Sequence, residues 1–427
     1  MLLVPLLILG IALYISGKRE LSSLIFLFFL FGNFQLIPDE LIGIKAQDFA
    51  IVYVGVLFIW GCIKYDNFIP KNNITLIIVL WLGFIIFGQL LSHFYYHIGW
   101  SEIIRTSRQH LLILSYFIFR RVSRQEIDKT LHILFIILLF QCCLYIIQAF
   151  TGLSLLTGSE FNFRIWRGFY RCYNLPFMVY FFVFYALFRN PFKGWSKYIS
   201  MILPIVALSF SVSRSLIIIL IIIICVGYLW EKNAFNSLRN LITSGVITLL
   251  LITIGGYYAS ERTIEDINKV ATGDFLEVEN IQESPESTFL YRIGHFYERY
   301  LFITEETVSI VFGLGFMADD SSYTNNRFNF IIGLDNEKKG GIAQLDTPDI
   351  AWSNFIVRYG IVGTILFLIY YILIIIYYTQ KKKTFSIRLP IILYLFFLFG
   401  ISFTCDLMYK MNMLIFPLIY FDYQYES

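Results

Sequence analysis

The sequence predicts an all-α polytopic membrane protein, and three observations lead there. Apolar runs long enough to cross a bilayer recur from one end of the chain to the other. Of the 427 residues, 58% are hydrophobic and only 15% charged, more apolar than a soluble fold can bury. A single long polar stretch, Ala259–Asp349, interrupts the runs.

In chain order the candidate spans cover residues 1–16, 21–37, 48–63, 74–92, 105–119, 130–150, 173–189, 198–212, 214–230, 241–257, 351–378, 388–404 and 409–423. The first and last are the weakest, so the expectation is 12–13 helices. Residues 1–257 hold about ten spans, 258–350 form a large loop with short amphipathic helices, and 351–427 hold two to three spans. The first run has no basic leader and no small-residue cleavage site, and Lys18 and Arg19 follow it, which reads as a retained helix. The six cysteines form no C-x-x-C pair. Buried free thiols are expected, with Cys172 and Cys405 the one pair placed to meet. A net charge of +3 gives no sign of a nucleic-acid partner.

Cation placement sets the orientation. The connections holding Lys18, Arg19, Arg120, Arg121, Arg124, Lys129, Arg189, Lys193, Lys197 and Lys381–Lys383 belong to a set with roughly twice the lysine and arginine of the opposite set. That set is expected to be cytoplasmic, so the large loop faces outward. Cations left on the outer side then need a reason, and an anionic ligand is one. In Phe163–Pro176, Arg164, Arg167 and Arg171 fall at i, i+3 and i+7. Arg214 lies between two apolar runs with no room for a loop, so it sits at or just inside the membrane boundary. In the large loop Arg292, His295 and Arg299 repeat the i, i+3, i+7 spacing on one helical stripe, with Ser284-Pro285-Glu286 as the cap that opens the helix. The rings of that helix are expected to face the membrane surface and its cations the substrate.

These residues resemble the superfamily of bacterial O-antigen polymerases and O-antigen ligases. The resemblance rests on Ser213-Arg214-Ser215 opening an Ile/Leu-rich helix and on the arginine-rich Arg164–Arg171 segment before a helix. It also rests on a loop that closes with Gly313-Leu314-Gly315 and then Asp349, eleven residues before Gly360-Ile361-Val362-Gly363. It spans roughly Phe161–Leu368. Ligases of this superfamily usually end the loop in a His-Asn pair. Here Asp349 and Ile350 stand there, which leans the resemblance toward the polymerases.

What the resemblance implies is a membrane glycosyltransferase in the bacterial cytoplasmic membrane, acting on its outer face. Its substrate would be an oligosaccharide on a polyprenyl diphosphate, and a chain-length regulator would be a protein partner. Moving the glycan breaks the bond from the anomeric carbon to the diphosphate, so negative charge builds on the leaving group while the acceptor hydroxyl loses a proton. Arginine suits the first task because its planar fork grips phosphate oxygens and stays charged near lipid. Arg164, Arg167, Arg171, Arg214 and Arg292 are the candidate diphosphate contacts, and the scheme calls on no metal or cofactor. A headgroup-facing surface is the other use that fits Arg164, Arg167 and Arg171, and pairing with Glu298 or Glu306 is the other use that fits Arg299.

Asp349 and His295 are the candidate bases. Thr347-Pro348 reads as N-cap and first helical position, which puts Asp349 in the first turn of the helix that returns to the membrane. The helix dipole favours its ionised form and burial opposes it. Stabilising the helix start is the plainer role for Asp349, and a polar position on an amphipathic helix is the plainer role for His295. His93 and His97, at i and i+4, have zinc-ligand spacing but no third ligand, so interfacial packing is expected. The expected activity is polymerisation of lipid-linked repeat units with inversion. Ligation of the glycan to lipid A core or to protein is the neighbouring alternative. A flippase or transporter is the rival from another class, and it would show repeats, broken mid-membrane helices and charges buried near span centres. A non-catalytic partner in a polysaccharide export complex is a third.

Overall fold

A computed structural model describes residues 3–41, 44–158, 164–166, 168–211, 213–231, 288–318, 321, 323, 328, 345–380 and 387–419. The chain is an all-α polytopic membrane protein. In order, its helices are α1 (Leu3–Ile15), α2 (Arg19–Leu30), α3 (Ala46–Lys64), α4 (Asn73–Phe94), α5 (Trp100–Ser107), α6 (Ser115–Phe119) and α7 (Arg124–Thr151). There follow α8 (Val179–Arg189), α9 (Trp195–Phe210), α10 (Arg214–Glu231), α11 (Thr288–Thr304), α12 (Thr307–Phe312), α13 (Ala351–Gln380), α14 (Arg388–Ile401) and α15 (Ile415–Ile419). Among the described residues four helices, α3, α4, α7 and α13, are long and apolar enough to cross a membrane, and shorter apolar helices pack among them. The expected span at 241–257 lies outside the described residues.

Local chemistry sets several boundaries. Asn72 accepts a hydrogen bond from the Thr75 amide at 2.7 Å and opens α4. Ser123 and Glu126 form a reciprocal capping box at the start of α7, which ends at Gly152 in a left-handed conformation. The run expected as one span over 21–37 stops at Leu30 because Gly32, at φ 59°, turns the chain out of the helix.

Two other expected spans are not continuous helices. Over 105–119, α5 passes into the 3₁₀ segment Arg108–Leu114 and then α6. Over 409–423, the 3₁₀ segments Leu407–Tyr409 and Met411–Leu414 precede the short α15. Arg108–Leu114 and Met411–Leu414 pack against each other, so each satisfies in the protein interior the irregular backbone that lipid would not tolerate. The Phe163–Pro176 segment is a second departure. Its i, i+3, i+7 spacing does not lie on a helix, because β3 (Arg164–Trp166) and β4 (Phe169–Arg171) form an antiparallel hairpin in which Arg164 pairs with Arg171 across the strands. A first small hairpin, β1 (Glu40–Leu41) and β2 (Ile44–Lys45), precedes α3.

The bundle has two ends that differ in chemistry. At one, Lys129 lies 3.9 Å from Glu20, Arg189 3.1 Å from Glu231, and Arg19 donates to the Arg121 carbonyl. This basic end gathers connections that the sequence groups together. At the other, the loop end, Arg108 lies 2.9 Å from Asp48. There the buried amides of Gln35, Gln148 and Asn174 interlock: Gln35 donates to the Asn174 carbonyl at 3.1 Å and Gln148 to Asn174 Oδ1 at 2.8 Å. Between the ends the interior is aromatic, with Phe181 stacked on Phe416 at 4.3 Å and Phe26 against Tyr53 and Phe119. Such packing holds membrane helices together where lipid removes the hydrophobic drive.

Candidate active site at the start of the Ala351–Gln380 helix

The large loop returns to the bundle through glycine-dependent geometry. Gly313 and Gly315 have φ of 63° and 64°, and α13 breaks its helical path at Gly360, where φ is 64° and ψ −171°. A side chain on Gly360 would meet the Ile310 carbonyl and the Gly313 amide, so the two glycine turns pack backbone to backbone. Leu314 donates to the Val357 carbonyl at 2.6 Å. On the other side Tyr96 donates to the Gly313 carbonyl at 2.9 Å, and the Phe316 amide to Ser92 Oγ at 2.8 Å. The Gly313-Leu314-Gly315 motif therefore fastens the loop between α4 and α13.

On this frame α11 packs along the start of α13. His295 Nδ1 and Ser353 Oγ share a hydrogen bond of 2.6 Å, and the imidazole is 1% exposed. One turn earlier, an Arg292 terminal nitrogen stands 3.8 Å from Asp349 Oδ1. That is an ion-pair distance beyond a hydrogen bond. The Arg292 Nε is buried with no hydrogen-bond partner. One turn later, Arg299 is fully buried, bonds Glu298 at 2.7 Å and lies over the Phe328 ring at 4.4 Å. The stripe is real, and its three members do different things. Arg299 takes the structural role, pairing with Glu298 as one of the two partners expected. Tyr297 and Tyr300 are exposed.

The turn before α13 differs from expectation by a few residues. The helix begins at Ala351, so Asp349 sits in the turn leading into it rather than in its first turn. Thr347 Oγ1 accepts from the Asp349 amide at 3.2 Å, while Asn354 bonds both the amide and the carbonyl of Thr347, at 2.8 and 2.9 Å. The Ala351 amide donates to the Ser402 carbonyl at 2.9 Å, and the Asp406 amide to the Pro348 carbonyl at 3.1 Å. Asp349 is thus held by backbone on both flanks and left partly exposed, beside Arg292.

Sequence reasoning missed two charged groups here. Arg358, 3% exposed, grips Asp346 with both arms of its fork, at 2.8 and 2.7 Å, and donates to the Met317 carbonyl. Lys410 lies 3.0 Å from Asp406. The expense of a guanidinium inside an apolar run, which singled out Arg214, applies equally to Arg358 in Asn354–Leu368 and would have found it.

His295 has its pKa held well below the ordinary histidine value, first by burial and then by the Arg299 charge. Its imidazole is neutral at neutral pH and, bonded to Ser353, is placed to brace α11 against α13. Burial raises the Asp406 carboxyl above its ordinary value, against the opposing charge of Lys410.

Of the remaining candidate arginines, Arg171 has a described side chain, and it stands at the same end of the bundle. Arg171 donates through Nε to the Ser211 carbonyl at 3.2 Å and lies over the Tyr173 ring at 4.9 Å. Ser211 caps α9, three residues before Arg214 opens α10. Gly400 of α14 packs on Ile219 of α10, and Gly227 of α10 on Leu393 of α14, so Arg214 starts its helix at the end where α14 hands over to Ser402 and the start of α13. The side chains of Arg164 and Arg214, and all of Arg167, lie outside the described residues. The structure thus brings Arg292, His295 and Asp349 together and sets Arg171 at the neighbouring α9–α10 turn.

His93 is occupied in packing: its Nδ1 bonds the Ile98 carbonyl at 2.9 Å and its ring stacks on Trp100 at 4.5 Å. All six cysteines, Cys172 and Cys405 among them, are unpaired. The chain matches no protein-family model and no curated protein.

Proposed function

We propose that this chain is a membrane glycosyltransferase that polymerises polyprenyl-diphosphate-linked oligosaccharide repeat units, of the O-antigen or capsule type, at the outer face of a bacterial cytoplasmic membrane. The observation that supports it best is the meeting of Arg292 with Asp349, a cation and a carboxylate close enough to attract and too far apart to satisfy each other. The acceptor hydroxyl oxygen attacks the anomeric carbon of the donor glycan, and the bond from that carbon to the diphosphate oxygen breaks. Asp349 takes the hydroxyl proton. The electron pair leaves with the polyprenyl diphosphate, whose charge Arg292 stabilises together with Arg171 and Arg214 of the α9–α10 side and with Arg164 and Arg167. Such preorganised cations act on charge that develops in the transition state. His295 positions α11 and is the second candidate base.

Ligation to lipid A core or to protein uses the same donor half of the site and differs only in acceptor. A flippase reading gains one observation of its own, the two broken segments Arg108–Leu114 and Met411–Leu414 packed together in the bundle. Purified protein reconstituted with a labelled lipid-linked repeat unit separates these. Longer glycans on the carrier support the polymerase, transfer to a supplied acceptor supports the ligase, and a change of sidedness at constant length supports the flippase.

A further inference from the structure

At the basic end, opposite the candidate active site, a cavity of about 790 Å³ opens between α7, the end of α8, the connection into α9 and the start of α14. Three cations, Lys129, Arg189 and Lys197, and two carboxylates, Glu20 and Asp128, stand on its walls. Ile133, Leu187 and Phe188 supply an apolar side. Its charges are partly paired: Lys129 lies 3.9 Å from Glu20 with its side chain 67% exposed, Asp128 3.6 Å from Arg124 and Arg189 3.1 Å from Glu231, while Lys197 makes no ion pair among the described residues.

The depth of this cavity follows from the neighbours of Lys197 in the chain. Trp195, 85% exposed, and Tyr198, 59% exposed, flank that lysine and pair edge to face at 6.2 Å. Exposed Trp and Tyr next to lysines are the composition of a membrane–water interface. A cavity beside such residues lies at the level of lipid headgroups.

We propose that this cavity binds the headgroup of a zwitterionic phospholipid with a phosphate and an ammonium, as in phosphatidylethanolamine. Lys129, Arg189 and Lys197 take the phosphate oxygens, and Asp128 and Glu20 take the ammonium. The two carboxylates give the ammonium partners that phosphatidylglycerol has no group to use. The volume falls within the range of small-molecule sites and accommodates the headgroup with the glycerol behind it.

Native mass spectrometry of the full-length protein in mild detergent, titrated with phosphatidylethanolamine, phosphatidylglycerol and inorganic phosphate, tests this. Wild type is expected to retain phosphatidylethanolamine in preference to phosphatidylglycerol. Lys197→Gln and Asp128→Asn, both at exposed positions that leave the packing intact, are each expected to weaken that retention about tenfold, the loss of one charge-assisted hydrogen bond. Equal or greater retention of phosphatidylglycerol overturns the proposal. So does unchanged retention in both variants, and so does displacement of the lipid by inorganic phosphate, which would make the occupant a soluble anion.

Discussion

Two arginine–aspartate pairs flank the start of the Ala351–Gln380 helix, within a few residues of each other, and they are built in opposite ways. Arg358 is buried, meets Asp346 with both arms of its fork at 2.8 and 2.7 Å, and gives a further bond to the Met317 carbonyl. Arg292 approaches Asp349 with one nitrogen at 3.8 Å, keeps a buried Nε without a partner, and leaves both side chains partly exposed. A satisfied, water-excluded fork fixes structure. A half-satisfied one at the surface has donors left for a ligand, and that difference separates a scaffold cation from a candidate binding cation.

The comparison breaks most visibly at Arg358. Arg358→Ala removes both bonds to Asp346 and the one to the Met317 carbonyl, and the expected loss is about 3 kcal/mol of stability. A thermal-shift series monitored by size-exclusion elution would show this as a large fall in melting temperature or as loss of the folded peak. An unchanged melting temperature would mean that the clamp holds nothing. Arg292→Ala and Asp349→Asn should do the reverse, leaving stability within about 0.5 kcal/mol of wild type. Chain elongation of a labelled lipid-linked unit should fall about 100-fold or more in each. Elongation at the wild-type rate in Asp349→Asn would pass the base role to His295.

The glycine junction sharpens the same contrast, because it supports both pairs. Gly360→Ala forces a side chain into a left-handed backbone against the Ile310 carbonyl and the Gly313 amide. The expected cost is about 1–3 kcal/mol, with activity falling in step with stability. Gly83→Ala, inside α4 with open space around it, is the matched control and should lower neither.

Much of the helical frame was legible in the sequence because an apolar run is a local signal that lipid enforces residue by residue. The breaks were not, since the 3₁₀ passage at Arg108–Leu114 and the turn at Gly360 exist only because another segment of irregular backbone packs on each. The Arg164–Arg171 spacing fits a helix as well as a hairpin, and the deciding residue is Gly168, which turns at φ 86°. The Arg292, His295 and Arg299 stripe was readable because helical spacing needs no partner. Which member pairs with what was not, because Asp349, Ser353 and Phe328 are brought in by the return of the loop. Burial, which only the fold reveals, is what divides Arg299 and Arg358 from Arg292.

The smallest expected effect tests how His295 serves that division. Its folded pKa is depressed, by burial first and Arg299 second, while in the unfolded chain it titrates near the ordinary 6.5. Below that value the unfolded state binds the extra proton and the folded state does not. The stability due to the neutral imidazole is therefore complete above about pH 6.5 and is lost as pH falls, by at most about 1.4 kcal/mol per unit. His295→Gln keeps a hydrogen bond to Ser353 within reach and cannot titrate. Melting temperature against pH should then slope less steeply between about pH 6.5 and 5 in the variant than in wild type, with elongation above pH 7 reduced only modestly. Parallel slopes would place the acid sensitivity elsewhere. A collapse of elongation above pH 7 at unchanged stability would make His295 the base, and Asp349 only the residue that completes the turn.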